Sequence, residues 1–179
     1  MPVPVFTAGE VLTAANMNQV GLWLVKTQTI GSAVSSVPVT DAFSADFDNY
    51  RITVSGGVGS TSTDVRLQLG STTTGYYTGY NRVTFSTGAA NLTSDNNAAN
   101  FSRCGFATTD SFVSSFDLYQ PFLTKRTLYY GMFVAHSPAF SAGQGSGFLD
   151  DANSYTDFTL IVPTGNITGG TIRVYGYRN

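Results

Sequence analysis

Asn49-Tyr50-Arg51-Ile52-Thr53-Val54-Ser55 alternates without a break: Tyr50, Ile52 and Val54 fall on one face, Arg51, Thr53 and Ser55 on the other, and Gly56-Gly57 ends the run. Period two over such a stretch marks a half-buried strand of an antiparallel sheet. Asp64 to Leu69 repeats it, with Val65, Leu67 and Leu69 inward and Arg66 and Gln68 outward. Phe112 to Tyr119 places Phe112, Ser114, Phe116 and Leu118 on one side and stops at Pro121. Thr127 to Ala135 sets Leu128, Tyr130, Met132 and Val134 against Tyr129, Phe133 and Ala135. Apolar on both faces, it reads as a central strand.

Working outward, Leu22 to Thr29 is a first strand ended by Gly31, with Ala33 to Val39 pairing back on it and Pro38 marking an edge. Tyr155 to Val162 and Thr171 to Tyr177 are the last two strands, separated by a Pro-Thr-Gly-Asn turn and Gly169-Gly170. Residues 70–109 are the least regular, and Thr87 to Asn100 is almost pure loop chemistry, which predicts a long exposed loop. Ser137 to Asn153 is a second loop-rich stretch with a strand at Gly145 to Leu149. About eight to ten strands at this spacing predict an all-β fold, an antiparallel β-sandwich of jelly-roll-like form.

Composition agrees. The chain has 179 residues, enough for one domain with an arm, and charged residues make up 11% of it. That is under half the ordinary share of about 25%. Ser, Thr, Asn and 19 Gly fill the gap, beside 13 Phe and 10 Tyr, which suit a pleated, half-buried surface. Weak charge also lowers the barrier to association, which a subunit packed among others tolerates. Nine Lys and Arg without a basic run, a net charge of −2 and a pI near 5.1 argue against nucleic-acid binding. No apolar run is long enough to cross a bilayer as a helix. Cys104 is alone, so the fold must stand on packing without an internal disulfide.

The segment before the first strand differs. Val3 to Phe6, with Pro2 and Pro4, is an extended arm, and Met1 to Phe6 lacks the basic start of a signal peptide. Phe6 to Val20 is the one stretch that reads as helical: Thr7 and Glu10 have capping-box spacing, Thr13 is a second N-cap, and Ala14, Met17 and Gly21 share a face flanked by Val20 and Leu24. A two-turn helix does not persist alone, so its apolar stripe needs a partner surface. The expected division is a docking arm with a short helix over residues 1–21 and a sandwich over residues 22–179. Phe6, Leu12, Met17 and Val20 are the docking residues.

The run "FTAGEVLTAANMNQ" resembles the opening F-x-x-G-x-x-L-T-A-x-x-(M/L)-N of short virion structural proteins of tailed bacteriophages, through Phe6, Gly9, Leu12, Thr13, Ala14, Met17 and Asn18. "NYRITVSGG", "LGSTTTGYY" and "GGTIRVYGYRN" are similar to segments of virion proteins from phages of marine cyanobacteria. None of these motifs is catalytic. The resemblance implies a non-enzymatic structural role in the virion but not which part of it; the opening motif favours a short tail fibre and the compact size a tail-associated knob, with a capsid decoration or head-fibre protein as the alternative. It further implies a homotrimer, by analogy with phage fibres and decoration proteins, joined to other virion proteins of tail or capsid.

Candidate chemistry is sparse. His136 is the single histidine and no G-x-S-x-G elbow accompanies it, since Ser146 lies in Gly-Gln-Gly-Ser-Gly. Asp150, Asp151, Asn153 and Asp157 offer alternating oxygens, but Thr156 and Val162 stand where a calcium loop has glycine and glutamate, so the stretch reads as an Asx-rich turn. Glycoside cleavage would need paired carboxylates drawn from Glu10, Asp95 or Asp110. No cofactor is expected. Tyr76, Tyr77 and Tyr80, beside Asn81 and Arg82, either stack on a host-surface glycan, as in a glycan-binding module, or pack against the sandwich edge or a neighbouring protomer.

Overall fold

A computed structural model describes Gly9 and residues 21–135 and 140–177. Of the arm and helix expected over residues 1–21 only Gly9 and Gly21 are described; Phe6, Leu12, Met17 and Val20 lie outside the described residues, as does His136. Fourteen strands and no helix occur among the described residues. In chain order they are β1 (Leu22–Thr29), β2 (Ser36–Val39), β3 (Asn49–Ser55), β4 (Val58–Gly59), β5 (Thr63–Leu69), β6 (Tyr76–Thr84) and β7 (Ala90–Ala98). They continue as β8 (Phe101–Ala107), β9 (Phe112–Tyr119), β10 (Leu128–Ala135), β11 (Ser141–Leu149), β12 (Phe158–Ile161), β13 (Ile167–Thr168) and β14 (Thr171–Tyr177).

All pairings are antiparallel. One layer runs β2-β12-β5-β8 and the other runs β1-β14-β3-β9 before continuing through β10-β11-β6-β7. Phe106↔Val113 and Ala107↔Phe112 join the layers at the β8–β9 corner. Along the chain the first four strands of each layer alternate between layers except at β5 and β8, which are neighbours in one layer, the jelly-roll plan of two interlocked Greek keys. Two hairpins, β6–β7 and β10–β11, are inserted into that plan, and both extend the same layer.

Alternation explains the core. Tyr50, Ile52 and Val54 of β3, Val65, Leu67 and Leu69 of β5, and Phe112, Phe116 and Leu118 of β9 are all buried, as their spacing predicts. Tyr129 of β10 stacks on Phe101 of β8 at 5.3 Å and donates its hydroxyl hydrogen to the Arg103 carbonyl at 2.7 Å. Room for that ring comes from a cross-strand pair of glycines: a Cβ on Gly131 would lie 2.7 Å from the Phe116 Cβ, and one on Gly145 3.3 Å from the Tyr129 hydroxyl. Beside it, burial pushes the Cys104 thiol well above its ordinary pKa, so the sulfur is held protonated and unreactive.

Several expectations are corrected. β2 pairs with β12, not with β1, because the chain crosses to the other layer after Ile30; Pro38 does sit in the edge strand of that layer. Residues 70–109 hold three strands rather than an irregular loop. Thr87 to Asn100 contains the nine-residue β7, almost wholly exposed and held by its ladder to β6. The strand expected at Gly145 to Leu149 begins earlier, at Ser141. β10 is central, between β9 and β11, yet only one of its apolar faces is covered.

Candidate interaction surface

Because side chains alternate across a strand, the residues of β10 that face away from the core are Leu128, Tyr130, Met132 and Val134. The register aligns them with outward residues of β11 and β6 in four rows. The first is Tyr119, Leu128, Phe148 and Tyr77; the second is Asp117, Tyr130, Ser146 and Gly79, reaching Ser94 of β7. The third is Ser115, Met132, Gln144 and Asn81, reaching Leu92, and the fourth is Val134, Ala142 and Val83. Met132 is 66% exposed, Val134 63% and Leu92 81%. None of the outward positions on β10, β11, β6 and β7 in these rows carries a charge.

The rows differ in height. Tyr77 and Phe148 stack nearly parallel, 4.9 Å apart at 10°, and form a ridge. Next to it Gly79, Ser94 and Ser146 form the floor of a shallow trough, with Gln144, Asn81 and Leu92 on its far side. The Tyr130 hydroxyl donates to Gln144 Oε1 at 3.2 Å.

The charges at the border of this surface are paired. Arg51 of β3 forks onto Asp117 of β9, Nε to Oδ1 at 2.9 Å and Nη2 to Oδ2 at 2.8 Å. The Tyr177 hydroxyl donates to the same Oδ1 at 2.7 Å, and the guanidinium lies over the Tyr177 ring. Burial chiefly, helped by that bond to a carboxylate, pushes the Tyr177 pKa up to about 12.

Tyr76, Tyr77 and Tyr80 do not converge. Tyr76 points inward, fully buried, with its hydroxyl accepting the Leu69 N–H at 2.8 Å. Tyr80 shares that face further along and takes the Arg103 guanidinium over its ring at 5.0 Å. Tyr77 alone reaches the outer surface, so strand alternation divides the three, and Tyr76 has no surface to offer a ligand.

The acidic residues are also dispersed. Asp95 accepts a hydrogen bond from Ser102 on β8, Asp110 lies in the turn before β9, and Asp150 pairs with Arg126 at the opposite end of the sandwich. Asp151 accepts the Asn153 N–H at 2.7 Å, the Asn153 amide at 2.8 Å and the Tyr155 hydroxyl at 2.8 Å, the Asx-turn arrangement its sequence predicts. Slight burial would raise the Asp151 pKa, but these bonds outweigh it and hold the carboxyl below its ordinary value. Among the described residues no three His, Cys, Asp or Glu side chains gather as a metal site.

The outward face of β10 and its neighbours is the feature that sequence reading did not single out. The signal was present in the doubly apolar pattern of Thr127 to Ala135. What it lacks, among the described residues, is a second covering layer: β4 and β13 pair with each other as a separate two-stranded sheet, and the other strands are used in the two layers already described. No protein-family model matches the chain, and no curated protein matches it.

Proposed function

We propose that this chain is a non-enzymatic structural protein of a tailed-bacteriophage particle, a short tail fibre or tail-associated knob. Its residues 1–21 fasten it to other virion proteins, and its sandwich associates with copies of itself, as a homotrimer by the analogy with fibres. The observation that carries this reading is the uncharged, apolar outer face of β10, β11 and β6, which suits a protein neighbour better than water. The resemblance of the opening motif supplies the kind of particle. A chain lacking residues 1–21 should keep its strand signature by circular dichroism and fail to enter particles; normal incorporation of the truncated chain would overturn the docking role.

Two other placements keep a foothold. A capsid decoration or head-fibre protein is favoured by the compact sandwich, since the described residues include no elongated shaft. Imaging of labelled particles separates head from tail. A glycan-binding module is favoured by the trough beside Tyr77 and Phe148, with Ser146 on its floor and Asn81 and Gln144 on its far side. A glycan array on purified protein tests it.

A further inference from the structure

We infer that the outer face of the β9-β10-β11-β6-β7 sheet is the surface through which copies of this chain associate with one another. This deepens the structural-protein reading and rests on it, by naming the partner of that face. The first ground is area. Eight large side chains of the face are between 36% and 81% exposed, from Tyr119 and Phe148 at the low end to Met132 and Leu92 at the high end. Half-exposed side chains of this size present on the order of 100 Å² each, so together they offer roughly 800 Å². The largest apolar patch of an ordinary monomer is about 300–600 Å². One partner's share of a standard protein interface is about 800 Å².

The second ground is charge. A foreign partner of marked acidity or basicity would find no counter-charge here, since the rows on β10, β11 and β6 are uncharged and Asp117 at their border already holds Arg51 and Tyr177. A second copy brings the same neutral face, so neither side must desolvate an unpaired charge, the condition met by interface cores. The overall charge of −2 adds little repulsion between copies. Tyr130 and Met132 at the centre are of the aromatic and thioether types enriched in such cores.

The test is the solution mass of the full-length chain by sedimentation, across a range of concentrations, with melting followed by circular dichroism. The expected result is a species of more than one chain. Met132→Glu with Val134→Glu should weaken self-association by about ten-fold or more while the chain keeps its strand signature and still melts cooperatively, without the concentration dependence that association gives the wild type. Val58→Glu, at an exposed position away from the face, should leave the mass unchanged. Should the double variant lose its fold, Leu92→Glu supplies a second break on the same face.

A wild-type protein that sediments as one chain at every concentration overturns the inference, as does an oligomer that survives the face substitutions. A single chain that becomes multimeric once residues 1–21 are removed also overturns it, because the occupant is then the chain's own N-terminal segment. Particle incorporation is a separate readout. An oligomer that enters particles without its first 21 residues sinks the docking role alone, and a monomer that enters particles sinks this interface alone.

Discussion

Tyr129, Phe133 and Ala135 on one side of β10 are at most 4% exposed, whereas Leu128, Tyr130, Met132 and Val134 on the other side are at least 42% exposed. The two sets are equally apolar, so composition does not distinguish them. What separates them is the second layer: β8 lies across the inner side and places Phe101 against Tyr129, while no described element lies across the outer side. Burial here is a property of the sheet's neighbours and not of the strand's own residues. A face left open in one chain is then a face that the next chain can close.

The contrast can be broken from the inside first. Tyr129→Ala removes a buried ring and its bond to Arg103, and should cost about 3–5 kcal/mol of unfolding free energy. Thermal melting would register that as a drop of roughly 10 °C. Gly131→Ala on the same side should cost about 1–3 kcal/mol, because its methyl meets Phe116 and neither strand can retreat without disturbing two ladders. Chemical denaturation of the two variants checks the order. A loss from Gly131→Ala larger than from Tyr129→Ala would mean that the inner side is limited by backbone spacing and not by ring packing.

At the border of the outer side the expected effect is smaller. Tyr177→Phe deletes one bond to Asp117 at a partly exposed site and should cost about 1 kcal/mol at neutral pH. Its pH dependence carries a definite sign. The folded-state pKa of Tyr177 is raised to about 12, so its contribution is fully present below the unfolded value near 10 and is lost as pH climbs from there through 12. The stability difference between wild type and Tyr177→Phe should therefore narrow over that window. A difference that stays constant would show that the hydroxyl proton is not shared with Asp117. For the dissociated chain, substitutions at Met132 and Val134 mark the low end of the scale, within about 0.5 kcal/mol by chemical denaturation at concentrations too low for association.

Strands that pack one face on the core were legible in the sequence, because that packing writes itself as alternation. β3, β5, β9 and β14 carry it plainly. β7 does not: Ala-Asn-Leu-Thr-Ser-Asp-Asn-Asn-Ala has no buried face to encode, and it is a strand only because β6 offers a ladder. In β8 the alternation is broken by a register shift opposite Val65 and Leu67 and by Arg103 at φ 59°. β11 reads as a glycine loop because its inward Gly145 makes way for a ring on the neighbouring strand. The tyrosines were readable as a group along the chain but not in space, since alternation sends Tyr77 away from Tyr76 and Tyr80. The outer surface needed a count of layers that no local pattern holds.

The two added hairpins leave the eight-stranded framework between β5 and β8 and between β9 and β12, and each returns without threading another strand. A sequence that drifts at the outward positions of β6, β7, β10 or β11 can therefore redraw the outer wall while the sandwich beneath keeps its core and its wiring. Chains that differ only at these outward positions could meet different neighbours, and the turn at residues 85–89, exposed at the tip of one ribbon, is a natural place to splice in a foreign peptide.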